Sequence, residues 1–485
     1  MTTTPSKRRI LGPFNRVEGD LEVHVEIDDD QVSKAKVNSP LFRGFEQILQ
    51  GKDPLDALVY TPRICGICSV SQSVAAAQAL AGAQGLQSCP NGQLATNLIL
   101  ATENMADHLT HFYLFFMPDF ARQVYLNKKW FEQINTRFKA QTGTATKDVL
   151  PARAAWLHLT GILAGKWPHS LAIQPGGTTR SITAKEKITL LTTIRCFRQF
   201  LEEILFTDTL EQVTAIKTED ELAAWQQTHQ TSDFGRFLML ADDLDLASLG
   251  GTDNALMSYG AYHNNQEPLF KTGVWQQKYY TLDTSLITED ITHSWLKGQS
   301  KARHPFYGKT QPDSDESSGY SWCKAPRLNQ QVVEVGAVAR QMVNGNPLIQ
   351  ALVSQSGTHV KNRVIARLFE LALVLPEMEQ WCQQIQPKEP FCMTSKMPDD
   401  AQGIGLVEAA RGSLGHWIKI EEGRIFNYQI IAPTTWNFSP RDTLNQPGAL
   451  EQALQGTFVG DDETASVAIQ HIIRSFDPCM VCTVH

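Results

Sequence analysis

Two Cys-x-x-Cys pairs stand near opposite ends of this 485-residue chain, and they restrict its fold more than any other feature. The first pair is Cys65 and Cys68 in "RICGIC", and the second is Cys479 and Cys482 in "DPCMVC". Each pair lets two thiolates face one metal from a single tight turn, and two pairs supply the four sulfurs of a closed zinc site or an iron–sulfur cluster. A fold that uses all four must bring the two regions together.

The four cysteines alone leave several functions open. A structural zinc site is the plainest of them, and a thiol–disulfide role for one pair is another. Arg63, two residues before Cys65, and a helix predicted directly after Cys68 both favour thiolate over thiol. Because a structural zinc site can share these features, they do not separate the alternatives.

Charge and hydropathy exclude some functions. The chain carries 43 Lys and Arg against 51 Asp and Glu, a formal net charge of −8. This balance argues against nucleic acid as a partner, since phosphate binding requires a basic face. The N-terminus shows no apolar signal segment, and three carboxylates interrupt the most apolar stretch, residues 98–120. We therefore expect a cytoplasmic protein without a membrane span, whose nine cysteines are reduced thiols or metal ligands.

The hydrophobic pattern predicts a single α+β domain over residues 1–485 that is predominantly α-helical, with a central bundle of long helices and small peripheral β-hairpins. Alternating residues around short turns predict hairpins over 21–37 and 416–433. The loop "QPGGTTR" (174–180) lacks the context of a nucleotide-binding fingerprint. Helical periodicity and end signals predict helices over 70–85, 91–116 and 218–230, and one or two long helices over 346–385.

A polar stripe marks the second of these helices. Asn104, Asp107, His108 and His111 follow at i, i+3, i+4 and i+7 on a helix that is otherwise apolar. A solvated face is one interpretation. The alternative is a buried polar network, which requires a hydrogen bond for each of its members.

Four short strings add to the two cysteine motifs: "RVEGD" (16–20), "RGFE" (43–46), "EAARGSLGHW" (408–417) and "APTTWNFSPRD" (432–442). Singly, each has a plain explanation; Glu46, for example, is spaced to pair with Arg43 on a helix. Together with "RICGIC" and the C-terminal "DPCMVCTVH", they resemble the large subunit of the nickel–iron hydrogenases. The resemblance spans nearly the whole chain.

The resemblance implies a metal centre and an activity. Cys65, Cys68, Cys479 and Cys482 would hold nickel, and Cys68 and Cys482 would also bridge to an iron that carries CO and two cyanide ligands. Soft thiolates suit nickel. The implied reaction is the heterolytic cleavage of H₂ to protons and electrons, in which a ligand sulfur can also accept a proton.

The resemblance also implies roles for residues around the metals. Glu18 would take protons from the terminal ligand Cys479. The guanidinium of Arg411 would lie over the metals, oriented by Asp107 and Asp477, and its bidentate geometry makes lysine a poor substitute.

Two further sets of ligands follow from the resemblance. Thr434 and Arg411 would contact the cyanide ligands of the iron. A magnesium ion would be held by Glu46, the backbone carbonyl of Ile430 and His485, a ligand set that suits octahedral Mg²⁺ when waters complete it.

Four positions depart from the usual pattern of this family. Gln72 replaces a common histidine and Ala410 a common proline, while Ile67 and Phe115 are bulkier than the usual valine and leucine of the gas channel. This combination resembles the cytoplasmic, hydrogen-sensing regulatory branch. An oxygen-tolerant uptake hydrogenase is the rival interpretation, because it would also have narrow channels.

Partners follow from the chemistry. Electrons from H₂ must leave through another subunit, and the resemblance implies an obligate small subunit with Fe–S clusters, in a heterodimer or a dimer of heterodimers. The regulatory branch further implies a signalling histidine kinase. A non-catalytic zinc protein is the alternative of another class. Five cysteines without cluster spacing are predicted to be core thiols: Cys89, Cys196, Cys323, Cys382 and Cys392.

Overall fold

Helices dominate the computed structural model, which describes residues 7–263, 268–459 and 463–483. With 46% helix and 19% strand, the fold confirms the predicted, mainly helical class. The helices are α1 Phe45–Leu49, α2 Ala57–Tyr60, α3 Ser69–Gln84, α4 Pro90–Thr110, α5 Phe131–Phe138, α6 Ala145–Trp156, α7 His158–Ala164, α8 Ala184–Phe200, α9 Leu210–Thr214, α10 Glu219–Thr228, α11 Asp233–Asp243, α12 Ala337–Asn344, α13 Pro347–Ser356, α14 Val360–Gln384, α15 Pro433–Asn437, α16 Ala449–Leu454 and α17 Glu463–Ser475.

The strands form several small sheets rather than one large one. They are β1 Lys7–Leu11, β2 Glu22–Asp28, β3 Gln31–Asn38, β4 Ile173–Gln174, β5 Gly177–Thr178, β6 Ala255–Ala261, β7 Phe270–Gln276, β8 Lys278–Tyr280, β9 Ile287–Asp290, β10 Leu296–Lys297, β11 Gln311–Pro312, β12 Ala325–Leu328, β13 Val333–Glu334, β14 Ala401–Ala409, β15 Gly412–Glu421 and β16 Arg424–Ile431.

The long helices α4 and α14 pack against each other at the centre of the molecule. The helical pattern predicted over 346–385 is divided into α13 and α14. Gly357, at φ 75°, ends α13, and the His359 side chain caps α14 by accepting a hydrogen bond from the backbone N–H of Asn362. The predicted capping box of Thr218 and Glu221 opens α10 as expected.

The end of α4 differs from the prediction. The α-helix ends at Thr110, and residues His111–Phe116 continue as a π-helical turn. Such a turn inserts one residue into the helical repeat and is frequent at functional sites. Here it follows directly after the polar stripe and leads into a short 3₁₀ turn that contains the buried Asp119.

Both predicted hairpins are present, and each belongs to a three-stranded antiparallel sheet. The first is β2–β3, with β1 paired on its outer edge. The second is β15–β16, and β14 was not predicted. This second sheet is more buried than a peripheral hairpin, because α3 packs on β14. A Cβ atom on Gly403 or Gly405 would lie 1.9 Å from a backbone oxygen of α3, so only glycine fits there.

Two smaller predictions need correction. The loop predicted over 174–180 overlaps the end of β4 and includes β5, and these two-residue strands pair with each other. Of the five scattered cysteines, Cys323 and Cys382 are buried core thiols, whereas Cys196 is exposed and Cys89 and Cys392 are half-buried.

One cluster of buried apolar side chains extends from Leu21 to Cys482 and includes all four cysteines of the two motifs. The organisation as a single domain over 1–485 stays a prediction. Within residues 7–263, 268–459 and 463–483, no helix combines the length and the apolar character needed to cross a membrane.

Candidate metal centre

The four cysteines of the two motifs meet in the core. The Sγ atoms of Cys65 and Cys479 lie 3.5 Å apart, those of Cys68 and Cys482 3.1 Å, and those of Cys479 and Cys482 2.9 Å. All four ligand atoms lie within 4.8 Å of one another, and each residue is at most 7% exposed. The predicted convergence of the two motifs is therefore confirmed.

The electrostatics of this cluster favour a bound cation. Hydrogen bonds from the other cysteines, that from Cys479 first, lower the pKa of the Cys65 thiol. The same contacts raise the pKa of Cys68, and burial raises the pKa values of Cys479 and Cys482. Four buried thiolates cannot stay charged without a counter-charge, and metal ions supply it by displacing the protons. The donor set therefore fits a thiophilic metal centre.

Glu103 fixes the position of the first motif from a neighbouring helix. Cys68 immediately precedes α3, whose own N-terminus lacks a side-chain cap. Glu103 of α4 supplies one: its carboxylate accepts hydrogen bonds from the backbone N–H groups of Val70 (2.9 Å) and Ser71 (3.0 Å) and from Trp167 Nε1 (3.0 Å). Burial raises its pKa to about 7. Sequence reasoning missed this role because the cap lies far away in the chain.

The second motif is fixed by the segment that carries Glu18. The backbone N–H of Glu18 donates to the carbonyl of Pro478 (3.3 Å), and the N–H of Met480 donates to the carbonyl of Glu18 (2.7 Å). Gly19, at φ 80°, is required here, since a Cβ atom would lie 2.9 Å from the nitrogen of Val481. Glu18 is half-buried, and burial, followed by repulsion from Cys65, raises its pKa.

Arg411 lies in the turn between β14 and β15. As predicted, its side chain contacts the carboxylates of Asp107 and Asp477. Its guanidinium donates to both carboxylate oxygens of Asp107, with 3.3 Å from Nη2 to Oδ1. It also donates to Asp477, with 3.1 Å from Nη2 to Oδ1 and 3.0 Å from Nε to the backbone oxygen. Burial opposes the charge, but Asp107 and Asp477 hold the pKa of Arg411 above its usual value. Electrostatic interactions with Cys479 and Cys68 add to this effect.

The polar stripe of α4 is buried, which excludes the solvated-face interpretation. Asn104 donates to Tyr262 Oη (2.8 Å), and His111 Nε2 lies 2.6 Å from the backbone oxygen of Arg474. His108 Nε2 lies 3.1 Å from Glu370, which also accepts from Arg340. Each of these three residues thus makes a hydrogen bond, although Asn104 Oδ1, His108 Nδ1 and His111 Nδ1 have no partner among the described residues. The bonds of the two histidines connect the helix that carries Asp107 to α14 and α17.

Thr434 and Gln72 border the centre. The Thr434 hydroxyl accepts a hydrogen bond from the backbone N–H of Cys479 (3.1 Å). Gln72, one helical turn after Cys68, has its Oε1 2.8 Å from His416 Nε2, and His416 Nδ1 lies 2.8 Å from Tyr428 Oη. Burial lowers the pKa of His416 to about 3, so a neutral ring donates to Gln72 and accepts from Tyr428.

The predicted magnesium ligands come together only in part. Glu46 is fully buried, and its carboxylate accepts from the backbone N–H of Ile430 (2.8 Å), from Thr310 and from Lys324 Nζ (3.0 Å). His485 lies outside the described residues. Glu289 Oε2 also accepts a hydrogen bond from Lys324 Nζ. Glu289 Oε1 is buried without a hydrogen-bond partner among the described residues, so it can accept from a water or bind a cation.

The suggested pairing of Glu46 with Arg43 is wrong. The Arg43 guanidinium instead donates to the backbone oxygens of Ile64 and Val481, the latter at 2.6 Å from Nη2. It therefore ties a residue next to Cys65 to a residue next to Cys482. The spacing of Arg43 and Glu46 gives no sign of this role, because both acceptors are carbonyls.

The two predicted gas-channel residues are partly buried. Ile67, inside the first cysteine motif, packs against the main core, and Phe115 lies in the π-helical turn after α4. Their effect on gas access stays a prediction.

Four buried thiols, near a guanidinium that two carboxylates fix, form the donor set of a thiolate metal centre. A family model described as nickel-dependent hydrogenase matches residues 43–143 and 147–485. This chain therefore belongs to the nickel-dependent hydrogenases, and it is an enzyme of that type. Nickel with iron fits the cluster of four cysteines.

Known proteins of the family match the chain over nearly its full length. The periplasmic NiFeSe hydrogenase large subunit of Desulfomicrobium baculatum is 30% identical over 98% of this chain and 94% of its own. The uptake hydrogenase large subunit of Rubrivivax gelatinosus is 25% identical over 99% of this chain and 95% of its own. A crystallised NiFeSe hydrogenase of Dm. baculatum superposes with a TM-score of 0.86 at 28% identity, covering 99% of this chain and 100% of that chain.

Proposed function

We propose that this chain is the catalytic large subunit of a hydrogenase that cleaves H₂ heterolytically at a Ni–Fe(CO)(CN)₂ centre. The observation that carries the proposal is the set of four buried thiols within 4.8 Å of one another, with Arg411 fixed beside them by Asp107 and Asp477. In this proposal Cys65 and Cys479 are terminal nickel ligands. Cys68 and Cys482 would hold both nickel and iron.

The residues around the centre have different roles in the proposed reaction. When bound, the centre supplies the Lewis acidity that polarises H₂ and the redox capacity that takes up its electrons. Cys479 holds the released proton at Sγ, and Glu18, on the segment paired with Cys479, passes it outward. The fixed charge of Arg411 stabilises negative charge that develops beneath it without having to reorient.

Thr434 and Arg411 are the side chains we assign to the cyanide ligands of the iron. Both are buried, Arg411 as a multiple donor and Thr434 with a hydroxyl that can donate while it accepts from Cys479. For magnesium, we propose Glu46, the carbonyl of Ile430 and His485 as ligands. The proximity of Glu46 and Ile430 and the unpartnered oxygen of Glu289 support a cation there.

A small subunit with Fe–S clusters is the proposed partner, because electrons must leave this chain. Among the described residues, the four cysteines are the only group with the arrangement of metal ligands. Glu18 and Ile67, next to the centre, are only partly buried. Exposed apolar side chains on residues 41–59 suit a large interface. They are Leu41, Ile48, Leu55 and Val59, between 41% and 46% exposed.

For the physiological role, we propose cytoplasmic hydrogen sensing with a histidine kinase as signalling partner. Gln72, Ile67 and Phe115 support this role. The names of the relatives favour the second candidate, an uptake hydrogenase. Replacing Ile67 by valine and Phe115 by leucine should raise oxygen sensitivity, measured as inactivation of H₂-dependent dye reduction in air. Phe426→Leu, at an exposed position, is the control. Unchanged inactivation would contradict the channel argument.

Infrared spectroscopy and metal analysis of the purified complex test the whole proposal. We expect one nickel and one iron per chain, with absorption bands from CO and cyanide that shift between H₂ and air. Cys482→Ser should remove these bands. Zinc as the only metal, without diatomic bands, would overturn the proposal in favour of a structural zinc protein.

A further inference from the structure

The turn that follows α17 determines where Asp477 meets Arg411. Helix α17 ends at Ser475, and Asp477 has a φ of 57°, in the left-handed region that few non-glycine residues adopt. In this conformation the Oδ1 atom and the backbone oxygen of Asp477 both accept from Arg411, at 3.1 Å and 3.0 Å. The other carboxylate oxygen, Oδ2, has no hydrogen-bond partner among the described residues. The orientation of the guanidinium therefore depends on the backbone conformation of one residue.

Two side chains from other helical segments hold this turn. His111 donates from Nε2 to the backbone oxygen of Arg474 (2.6 Å), which also accepts from the backbone N–H of Asp477 (3.0 Å). Arg367, on α14, donates from Nη1 to the backbone oxygen of Ser475 (2.6 Å). The last carbonyl groups of a helix have no partner inside it, so donors from elsewhere can fix the chain at that end. The two donors thus fix the backbone just before Asp477.

His111 is held in one orientation and one protonation state. It is the first residue of the π-helical turn after α4, and its ring stacks on Phe116 with 5.7 Å between the ring centroids. Burial lowers the pKa of His111 to about 3, so the ring is neutral. Because Nε2 faces a carbonyl group, that nitrogen carries the proton. The π-helical turn, a feature that is frequent at functional sites, therefore directs a fixed donor at the end of α17.

Arg367 is a buried cation without a carboxylate partner. It is 4% exposed, and among the described residues it forms no ion pair and its Nε has no hydrogen-bond partner. Its Nη1 donates to two carbonyl groups, those of Ser475 and Arg363, the latter at 3.1 Å. Burial lowers the pKa of Arg367 to about 10, and attraction to Asp477 opposes this shift. Because an unpaired buried charge costs stability, the position of this arginine beside Asp477 explains its presence better than a contribution to folding does.

We propose that His111 and Arg367 are positioning residues for the metal centre. By holding the last two carbonyl groups of α17, they keep Asp477 in its left-handed conformation and thereby fix the Arg411 guanidinium beside the four cysteines. Neither donates a hydrogen bond to those cysteines in the described contacts, so both act through Asp477. The inference rests on the proposed function for its effect on H₂ oxidation and on the cyanide ligands, whereas the geometry of the turn can be tested independently.

Crystal structures of single variants of the intact complex provide the first test, which does not depend on the identity of the metal. His111→Phe keeps a ring that can stack on Phe116 but removes the donor to Arg474. We expect Asp477 to leave the left-handed region, or its Oδ1 to move out of hydrogen-bond distance of Arg411. His111→Gln offers an amide N–H in place of Nε2–H and should restore the contact. Unchanged geometry of Asp477 in His111→Phe would contradict the inference.

Turnover per bound nickel and the infrared bands of cyanide provide the second test, in the metal-loaded complex. His111→Phe should lower turnover about 10-fold without raising the KM for H₂, since a displaced preorganised charge affects the reaction more than binding. The cyanide bands should shift, because Arg411 is their proposed contact. His111→Gln should recover both the turnover and the band positions.

The matched control for the second test is His471→Phe. His471 is also buried and stacked on an aromatic ring, with 4.5 Å between its centroid and that of Phe120. Its Nε2, however, lies 2.7 Å from Tyr125 Oη rather than from a carbonyl group at the end of α17. This variant should change the melting temperature but neither the turnover per nickel nor the cyanide bands.

Arg367→Met separates positioning from stability. Methionine keeps much of the side-chain volume but removes the donor to Ser475 together with a buried charge. Turnover per nickel should fall about 10-fold, whereas the melting temperature should stay the same or rise, because the charge that is lost had no carboxylate partner. Arg327→Met breaks a buried ion pair with Asp442 and should show the reverse pattern, a lower melting temperature with unchanged turnover per nickel.

The outcomes separate this inference from the proposed function. If the parent complex shows nickel, iron and diatomic bands while His111→Phe and Arg367→Met keep the turnover, the cyanide bands and the geometry of Asp477, the positioning role is wrong and the hydrogenase function stands. Losses of turnover that only follow the melting temperature, without recovery in His111→Gln, would also overturn the role. Zinc in place of nickel would overturn the proposed function, while the crystal structures would still decide whether the two side chains hold Asp477.

Discussion

At the scale of single residues, the centre depends on the planar guanidinium of Arg411. Arg411→Lys should keep the charge but lose simultaneous contact with Asp107 and Asp477, since an ammonium cannot match two carboxylates in this geometry. We expect H₂ oxidation per bound nickel to fall by about 10²-fold or more, in line with the loss of a preorganised charge.

The control for this variant is Arg327→Lys, which alters another buried Arg–Asp pair, with 2.7 Å from Nε to Asp442. It should lower the melting temperature without lowering the activity per nickel. Equal losses of activity in the two variants would show that Arg411 acts only through stability.

A second residue-scale prediction concerns pH. Burial raises the pKa of Glu451 to about 7, although it accepts from the backbone N–H of Val37 (2.9 Å) and from Tyr320 Oη (2.8 Å). The folded state thus binds this proton more tightly than the unfolded state, whose pKa is near 4.5. The contribution to stability is complete below about pH 4.5 and is lost as pH rises through 7.

Glu451→Gln should remove this dependence. The melting temperature of the variant relative to the parent should therefore rise between pH 5 and pH 7.5, by an amount that corresponds to about 1–3 kcal/mol. Glu422→Gln, at an exposed turn, serves as the control. A variant-minus-parent difference that stays constant with pH would contradict the prediction.

At the scale of elements, α3 depends on a cap from α4. Glu103→Ala should leave two backbone N–H groups of α3 and the indole N–H of Trp167 without an acceptor. We expect a loss of about 2–4 kcal/mol in unfolding free energy, because buried unpaired donors are costly.

Because α3 begins directly after Cys68, nickel content should fall as well, measured by metal analysis of the purified chain. Glu103→Gln keeps an acceptor oxygen, so its losses of unfolding free energy and of nickel content should both be smaller. Full nickel content in Glu103→Ala would show that the cap does not position the ligands.

The sequence predicted the elements unevenly. The hairpins and the long helices were predicted because alternation and helical periodicity were strong. Strand β14 was missed, since Gly403 and Gly405 lower its strand propensity, and their purpose is visible only against α3. The break between α13 and α14 needed the conformation of Gly357, which a periodic pattern does not reveal.

The same contrast holds for the site. The cysteine pairs and the Arg411 group follow from short motifs and a family resemblance. Glu103 and Arg43 were missed or wrongly assigned because their partners are backbone groups from distant segments. A single sequence carries no signal for such contacts.

At the scale of the whole molecule, the two cysteine motifs are brought together across 414 positions. His485, three residues after Cys482, is predicted to anchor this C-terminal segment through magnesium. Deleting His485 should lower the nickel content of the purified chain or its melting temperature. A truncated chain with full metal content and activity would contradict that prediction, and conversion to His485→Gln should be milder than deletion.

The pairing of Glu18 with the Cys479 segment also determines when the centre can form during synthesis of the chain. During synthesis, the first cysteine pair leaves the ribosome hundreds of residues before its partners, at roughly 5–20 residues per second. The strand site of Glu18 therefore has no occupant for many seconds. Since two of the four ligand thiols belong to the second motif, the complete donor set exists only after Cys482 has been made.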